Sequence, residues 1–353
     1  MFFKKSHADV KAIDDTGKRL LFSGDISLKT IKSLAKNQSI EILQTDKPIS
    51  IETAQALEKY LFSKRPDVHF RIYGCYQRDQ ICDLSICEHM PSLTGFYADC
   101  LQDAININAV STLHNIQHLS LGIYNNDSLD TLNHVPETLS SLSVGQTKSK
   151  KPSLAALSRF KTLETLFIDS QSKEIMAISC CTNIQKLTLR GIKTDNLDYL
   201  GSLDRLETLN IHLGSIKNFE ALKDMPQIQA LELFQIRDLS NIEFLSDMIG
   251  LQTLFLQNLN HVNALPDLQR LDKLKRIVFE NLKSMKDLSA LENIPHLEEC
   301  LYIAAQNLQP EDFIPLLKNN SVKRVLAGFG SDKRNKIFQE LAIQHGKKPD
   351  MLT

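Results

Sequence analysis

Hydrophobic positions recur at intervals of about 21 to 24 residues through the middle of the chain, a spacing found in repeat proteins. Each unit has an apolar anchor followed by two alternating apolar positions, in the form L-x-x-L-x-L. The alternation predicts one short β-strand per unit, with its apolar residues on one face. A period of this length is typical of a solenoid, in which stacked units share one continuous core. The units are Ile116-Leu119-Leu121, Leu139-Leu142-Val144, Leu163-Leu166-Ile168, Ile184-Leu187-Leu189, Leu206-Leu209-Ile211, Ile228-Leu231-Leu233, Leu251-Leu254-Leu256 and Leu274-Ile277-Phe279.

The segments that join these strands leave little room for regular helices. Three of them, residues 219–225, 242–248 and 288–294, carry an apolar residue at every third position. A repeat of about 3.0 residues keeps one face of a 3₁₀ turn inward. We therefore expect a narrow back layer made of 3₁₀ turns.

Both ends of the chain depart from the regular pattern. Apolar residues stand at helical spacing in residues 27–36 and 51–64, each after a strand-like stretch, and again in the amphipathic residues 332–345. Terminal units of a solenoid must cover core that no neighbour covers. We predict three regions: an N-terminal cap with strand-helix units at 1–66, a solenoid at 67–308, and an irregular repeat with a capping helix at 309–353.

The units resemble those of the leucine-rich-repeat family, in the phosphatase-regulator-like and internalin-like subclasses, whose units have about 22 to 23 residues. The resemblance covers residues 68–330 and suggests a bacterial source. It implies an α/β solenoid of horseshoe form, with a concave parallel β-sheet, a convex side of short 3₁₀ segments and turns, and helical N- and C-terminal caps. It also implies that the chain binds another protein.

One feature departs from the family pattern. The family often has an asparagine three residues after the last strand leucine, where its side chain satisfies backbone groups of the turn. This chain has apolar residues or glycine there, so the turn must satisfy its backbone in another way. The residues at this position are Ile192, Gly214, Ile236, Leu259 and Leu282.

Residues next to the core leucines in each strand point to the opposite face of the sheet. Because neighbouring strands lie about 4.8 Å apart, Phe234, Phe255, Val278 and Leu301 are expected to form one apolar patch, with Ile303 as a further candidate in the strand of Leu301. Exposed apolar patches usually mark interaction sites. Two alternatives stay open: the C-terminal cap covers the patch, or the strand register slips near Cys300 and turns Leu301 inward.

The candidate binding site combines this patch with the polar residues around it. A polar rim is expected from Arg276, Glu232, Glu280 and Glu299. The predicted partner-binding residues of the concave face are Phe167, Arg190, His212, Glu232, Phe234, Phe255, Gln257, Arg276, Val278, Glu280, Glu299 and Leu301.

Composition narrows the possible partners. The 41 basic and 42 acidic residues nearly cancel, so the chain lacks the basic field of a nucleic-acid-binding protein. No stretch resembles a signal peptide or is apolar over the length of a membrane-spanning helix. Seven cysteines, an odd number without a paired framework, suit free thiols. We expect a cytoplasmic monomer with a protein partner, no nucleic acid and no membrane, and delivery into a host cell stays open.

Catalytic and metal-binding motifs are missing from the sequence. It has no G-x-S-x-G turn, phosphate-binding lysine loop, H-E-x-x-H pair or glycine-rich dinucleotide turn. Cys75, Cys82, Cys87 and Cys100 are spaced too widely for a structural zinc site, and their apolar neighbours suggest core positions.

We therefore expect a non-catalytic protein-interaction module with no cofactor and no metal. Within that class, the alternatives are an immunity or inhibitor protein that covers the active site of a toxin or enzyme, and a bacterial effector that acts on a host protein. From a different class, a thiol enzyme would use one of the cysteines between residues 75 and 100.

Overall fold

The computed structural model describes residues 10–74, 81–149 and 152–349. Contacts within the chain divide it into two compact units, Met1–Cys181 and Thr182–Thr353. Each unit is described by itself below.

The N-terminal unit is built on a sheet whose strands pair in chain order. Its strands are β1 (Val10–Ala12), β2 (Arg19–Phe22), β3 (Ile42–Thr45), β4 (His69–Tyr73), β6 (Gly95–Leu101), β8 (His118–Ile123), β9 (Ser141–Val144) and β10 (Thr165–Asp169). Strands β1 and β2 are antiparallel, and every later pair is parallel. Two short strands, β5 (Cys82–Asp83) and β7 (Ala104–Ile105), pair with each other outside this sheet.

Two helices and a series of 3₁₀ turns form the back layer of the N-terminal unit. Helix α1 is Leu28–Leu34, and helix α2 is Ile51–Leu57, continued by a π-helical turn at Glu58–Phe62. The hydroxyls of Ser27 and Ser50 cap the two helices. The 3₁₀ turns are Leu84–His89, Ile107–Thr112, Asp130–Asn133, Ala155–Arg159 and Ile175–Cys180.

The C-terminal unit repeats the same plan with parallel strands throughout its long sheet. Its strands are β11 (Lys186–Arg190), β13 (Thr208–His212), β15 (Ala230–Phe234), β16 (Thr253–Gln257), β17 (Arg276–Glu280), β18 (Glu299–Ile303), β19 (Arg324–Ala327) and β20 (Lys348–Pro349). The short strands β12 (Lys193–Thr194) and β14 (Ser215–Ile216) form a separate pair. The 3₁₀ turns are Asp198–Leu200, Glu220–Asp224, Glu243–Asp247, Ser289–Asn293 and Pro310–Phe313, and the helices are α3 (Ile314–Lys318) and α4 (Asp332–Gln344).

The apolar residues of the sequence repeat form the core. Every residue in the eight predicted units is at most 3% exposed. The three segments with apolar residues at every third position contain the 3₁₀ turns Glu220–Asp224, Glu243–Asp247 and Ser289–Asn293. The predicted strands and 3₁₀ back layer are therefore confirmed.

The turn after each strand satisfies its backbone without an asparagine ladder. In the C-terminal unit the residue after a strand adopts positive φ, at Leu213 (60°), Gln235 (51°), Asn258 (54°), Asn281 (52°) and Ala304 (58°). This conformation lets the first four of these residues donate their backbone N–H groups to the carbonyl at the end of the next strand, at 2.7 to 3.0 Å. The position of the family asparagine is instead filled by buried apolar side chains or by glycine: Ile192, Gly214, Ile236, Leu259 and Leu282.

Helix α4 covers the end of the core in the C-terminal unit. The Phe338 ring packs edge-on against Phe313 at 5.3 Å and lies 5.9 Å from Phe329, between ring centroids. These rings are buried, whereas Ile343 on the same helix is 64% exposed. The helix is a cap as predicted, but Ile343 is not part of its buried face. Among the helices of the described residues, none is long and apolar enough to span a bilayer.

Candidate functional site

The outward face of the C-terminal sheet holds most of the predicted site residues. Strand pairing in register aligns their side chains in rows across strands β13 to β19. The middle row consists of Asn210, Glu232, Phe255, Val278, Leu301 and Leu326. The row nearer the strand ends consists of His212, Phe234, Gln257, Glu280 and Ile303.

Apolar side chains dominate one part of this face. Phe255, Val278 and Leu301 are neighbours in the middle row, and Phe234 lies diagonally beside Phe255. We call these four residues the apolar cluster. Phe234, Phe255 and Leu301 are half-buried. Val278 is only 8% exposed, because Phe255 and Leu301 stand on both sides of it, so the expectation that Val278 contributes open surface is wrong.

The register does not slip near Cys300. Cys300 and Tyr302 are fully buried, and Cys300 pairs with the core residue Ile277. Leu301 and Ile303 therefore point outward. Helix α4 packs against the 3₁₀ turn Pro310–Phe313 and strands β19 and β20. The apolar cluster thus keeps partly exposed side chains with the C-terminal helix in place.

A charged group borders the apolar cluster at the start of the strands. The Glu299 carboxylate lies between two guanidinium groups: Arg276 donates a hydrogen bond from Nε, and Arg324 lies at 2.7 Å. Both arginine side chains are about half exposed, at 49% and 54%, whereas that of Glu299 is 13% exposed. Two cations and one anion leave this edge with an excess of positive charge.

Two carboxylates border the cluster elsewhere: Glu232 is next to Phe255 in the middle row, and Glu280 lies in the row nearer the strand ends. His212 Nε2 lies 3.0 Å from Glu232 Oε1, and the His212 ring packs edge-on against Phe234 at 5.9 Å. Glu280 and Gln257 stand in the same row as Phe234. The apolar cluster is therefore flanked by opposite charges on its two sides.

Two of the predicted site residues are not part of this group. Arg190 ends strand β11 and pairs in register with His212. Phe167 is a half-buried residue of β10 in the N-terminal unit. The structure therefore brings the remaining predicted residues together in the sheet of the C-terminal unit.

The sequence did not single out a polar network on the outward face of the N-terminal sheet. His69 Nδ1 lies 2.6 Å from the Tyr97 hydroxyl, and the His69 and His118 rings are 4.8 Å apart. A Cβ on Gly95 would lie 2.2 Å from the His69 ring, so glycine makes room for that ring. Burial, together with His118, lowers the pKa of His69 to about 4. Arg71 pairs in register with Tyr97, and its Nε donates to Asp99 Oδ2 at 2.9 Å.

This network could have been found from the strand alternation. Its side chains occupy the outward positions of β4, β6 and β8, between buried apolar residues. The contacts among these side chains depend on the strand register and on the space above Gly95. Neither can be predicted from the residue types alone.

The described cysteines between residues 82 and 100 differ in burial. Cys82 and Cys87 are buried, and burial raises the pKa of the Cys87 thiol well above its ordinary value. Cys100 is exposed at a bulge in β6, so the expectation that it faces the core is wrong. Cys75 lies outside the described residues. Within the part of the chain that the structure describes, no three His, Cys, Asp or Glu side chains are grouped to hold a metal ion.

Comparison with known proteins gives a structural match. No protein-family model matches the sequence. No curated protein matches it either. Among solved structures, the internalin InlF of Listeria monocytogenes aligns with a TM-score of 0.61 at 19% identity, over 93% of this chain and 90% of that one. The chain has the leucine-rich-repeat fold.

Two other solved structures align less well with this leucine-rich-repeat chain. The internalin C2 of Listeria monocytogenes has a TM-score of 0.44 at 16% identity, over 58% of this chain and 90% of its own. A leucine-rich-repeat protein of Leptospira interrogans has a TM-score of 0.40 at 15% identity, over 95% of this chain and 90% of its own. InlF is a bacterial protein, which is consistent with the bacterial source expected from the sequence.

Proposed function

We propose that this leucine-rich-repeat protein is a non-catalytic interaction module that binds another protein on the outward face of its C-terminal sheet. The observation that carries the proposal is the apolar cluster. Its half-buried aromatic and aliphatic side chains stand on paired strands with charged residues at both sides. Aromatic side chains at the centre of an interface often dominate its binding energy.

The strands provide a preformed surface. Their backbones are held by pairing on both sides, so binding orders little additional chain and costs little conformational entropy. Burial of apolar surface contributes about 25 cal/mol per Å². Phe234 and Phe255 are the largest side chains of the cluster and would supply most of that burial.

The two charged borders define the chemistry of the proposed partner. Arg276 and Arg324 would face a carboxylate, and Glu280 would face a basic side chain. Charges at the rim of an interface mainly set orientation and association rate. The partner would therefore present an apolar side chain between an acidic and a basic group.

The same face would serve either of two more specific functions. In an immunity or inhibitor protein it would cover the active site of a toxin or enzyme, and in a bacterial effector it would bind a host protein. We place the protein in the cytoplasm, where the buried thiols of Cys82, Cys87, Cys181 and Cys300 suit a reducing environment. The burial of Cys82 and Cys87 disfavours a thiol nucleophile at either residue.

Affinity capture from the native lysate tests the proposal. The bait proteins are the wild type, the double variant Phe234→Glu/Phe255→Glu and a control double variant, Ile249→Glu/Ile343→Glu. The control residues are exposed apolar side chains outside the outward strand positions, 46% and 64% exposed. We expect one protein to be recovered by the wild type and the control and lost by the first variant, with circular dichroism unchanged in all three. Recovery by all three baits would place the binding site elsewhere.

A further inference from the structure

Three lysines converge on one tyrosine in the back layer of the N-terminal unit. The Nζ atoms of Lys32, Lys59 and Lys64 lie 4.7, 5.3 and 5.8 Å from the centroid of the Tyr60 ring. All three lysines are exposed, and none makes an ion pair with a carboxylate among the described residues. The three ammonium groups around this ring repel one another, and none is neutralised by a carboxylate within the described part of the chain. A surface rich in anions would therefore be attracted by all three lysines at once.

The internal repeat brings further exposed residues of the two helical units side by side. The caps Ser27 and Ser50 occupy equivalent positions in successive units, one repeat length apart. Leu28 and Ile51 are consequently equivalent, and each is 44% exposed. Lys36 and Lys59 are separated by the same interval and are both exposed. Equivalent positions of stacked units are neighbours, so Leu28 lies beside Ile51 and Lys36 lies beside Lys59.

The outer side of α1 forms a groove within this surface. Leu28, Lys29, Lys32, Ser33 and Lys36 line it. Three carboxylates among the described residues lie near these helices. Asp25 Oδ1 accepts the backbone N–H of Ser50 at 2.7 Å, and Glu52 and Glu58 belong to α2 and to the π-helical turn after it. Glu52 is exposed beside Ile51, whereas Glu58 accepts hydrogen bonds from the backbone and hydroxyl of Ser92. Positive charge therefore predominates on this side of the helices.

We propose that this surface binds the anionic headgroups of a phospholipid bilayer. Its residues, called the lysine-tyrosine surface from here on, are Leu28, Lys29, Lys32, Lys36, Ile51, Lys59, Tyr60 and Lys64. Lysines attract acidic lipids to a membrane surface, while exposed aliphatic side chains and tyrosine favour the boundary between headgroups and acyl chains.

The apolar residues favour a lipid surface over a soluble polyanion. Leu28 and Ile51 would insert among headgroups, but they would contribute nothing to contacts with the phosphates of a nucleic acid. The proposal departs from the sequence-based expectation of no membrane partner. That expectation rested on the lack of a spanning segment, which a peripheral contact does not require.

Vesicle sedimentation tests the proposal with the full chain. Wild type is expected to bind vesicles of phosphatidylcholine that contain phosphatidylserine, to release them as salt is raised, and not to bind phosphatidylcholine alone. Lys32→Gln/Lys59→Gln/Lys64→Gln should bind roughly 100-fold more weakly, since each lysine contributes about a factor of five. The control Lys273→Gln/Lys283→Gln/Lys286→Gln removes the same charge from exposed positions in the other unit and should bind as wild type.

A second variant separates a lipid surface from a soluble polyanion. Leu28→Ser/Ile51→Ser should weaken binding to the acidic vesicles while binding to heparin stays unchanged. Equal loss in the two lysine variants would overturn the proposal, because net charge alone would then explain binding. Binding to heparin without binding to acidic vesicles would also overturn it, and would assign the surface to a soluble polyanion.

Discussion

Individual residues at the strand ends show how the repeat tolerates an unfavourable backbone conformation. Leu213, Gln235 and Ala304 all adopt positive φ, which costs a residue with a Cβ about 1 to 2 kcal/mol. At Leu213 and Gln235 a backbone hydrogen bond to the neighbouring strand offsets this cost. Glycine is required where space is also lacking. At Gly214 a Cβ would lie 2.2 Å from the Ile192 carbonyl oxygen.

Alanine substitutions at two glycines separate the cost of a positive φ from the cost of a steric clash. Gly214→Ala adds a backbone clash to an unfavourable φ of +81°, and we expect the free energy of unfolding to fall by about 3 kcal/mol or more. Gly346→Ala is the control, because Gly346 has a φ of +70° but no atom within 4 Å of its added Cβ. It should cost about 1 kcal/mol. Urea unfolding measures both, and equal losses would contradict the assigned role of the clash.

A second prediction for a single residue concerns the pKa of His69. Its pKa is about 4 in the folded chain, against an ordinary value of 6.5, so between these values the unfolded chain binds a proton that the folded chain does not. Stability contributed by neutral His69 is therefore complete above pH 6.5 and is lost as pH falls toward 4. The loss is at most about 3 kcal/mol, since the ring is partly exposed.

Urea unfolding across this pH range tests the prediction. His69→Gln should reduce the dependence on pH, whereas His114→Gln, at an exposed position, should leave it as in the wild type. An unchanged dependence in His69→Gln would show that other groups, such as His118, are responsible.

Among the secondary-structure elements, helix α4 stabilises the end of the core through side chains that its sequence pattern identified only in part. Its apolar residues predicted a cap, but the structure buries Phe338 and Ala342 and leaves Ile343 exposed. The difference arises because the cap packs on the rings of Phe313 and Phe329, whose positions depend on the preceding turns.

Alanine substitutions of Phe338 and Ile343 measure how much each side chain contributes to stability. Phe338→Ala should lower the free energy of unfolding by about 3 to 5 kcal/mol, the usual cost of removing a buried ring. Ile343→Ala should change it by less than about 0.5 kcal/mol. Thermal or urea unfolding gives both values. Similar effects from both substitutions would mean that α4 does not pack as described.

For the whole molecule, the sequence predicted the buried residues of the core more completely than the arrangement of side chains on the outward face of the sheet. Burial selects apolar residues at a fixed spacing, so the core units in both compact parts could be identified from the pattern alone. Apolar residues at helical spacing in residues 27–36 and 51–64 predicted α1 and α2 in the same way. The positive-φ turn could not be predicted, because Leu213 and Ala304 are not residues that favour it.

The outward face depends on contacts between units that are distant in sequence. Val278 is covered by Phe255 of the preceding unit and Leu301 of the following one, and Cys100 is exposed by a bulge against β8. Spacing placed Phe234 and Phe255 on the outward face, but it did not give their exposure. The binding role of these residues stays a proposal for experiment.

The most direct test of the central claim is photo-crosslinking at the proposed face. Benzoylphenylalanine would replace Phe255 in one protein and the exposed Ile249 in another, and each would be irradiated in the native lysate. The proposal predicts one crosslinked partner from position 255, removed by Phe234→Glu in the same chain, and none from position 249. The same crosslinks from both positions, or a crosslink from 249 alone, would contradict binding through the apolar cluster.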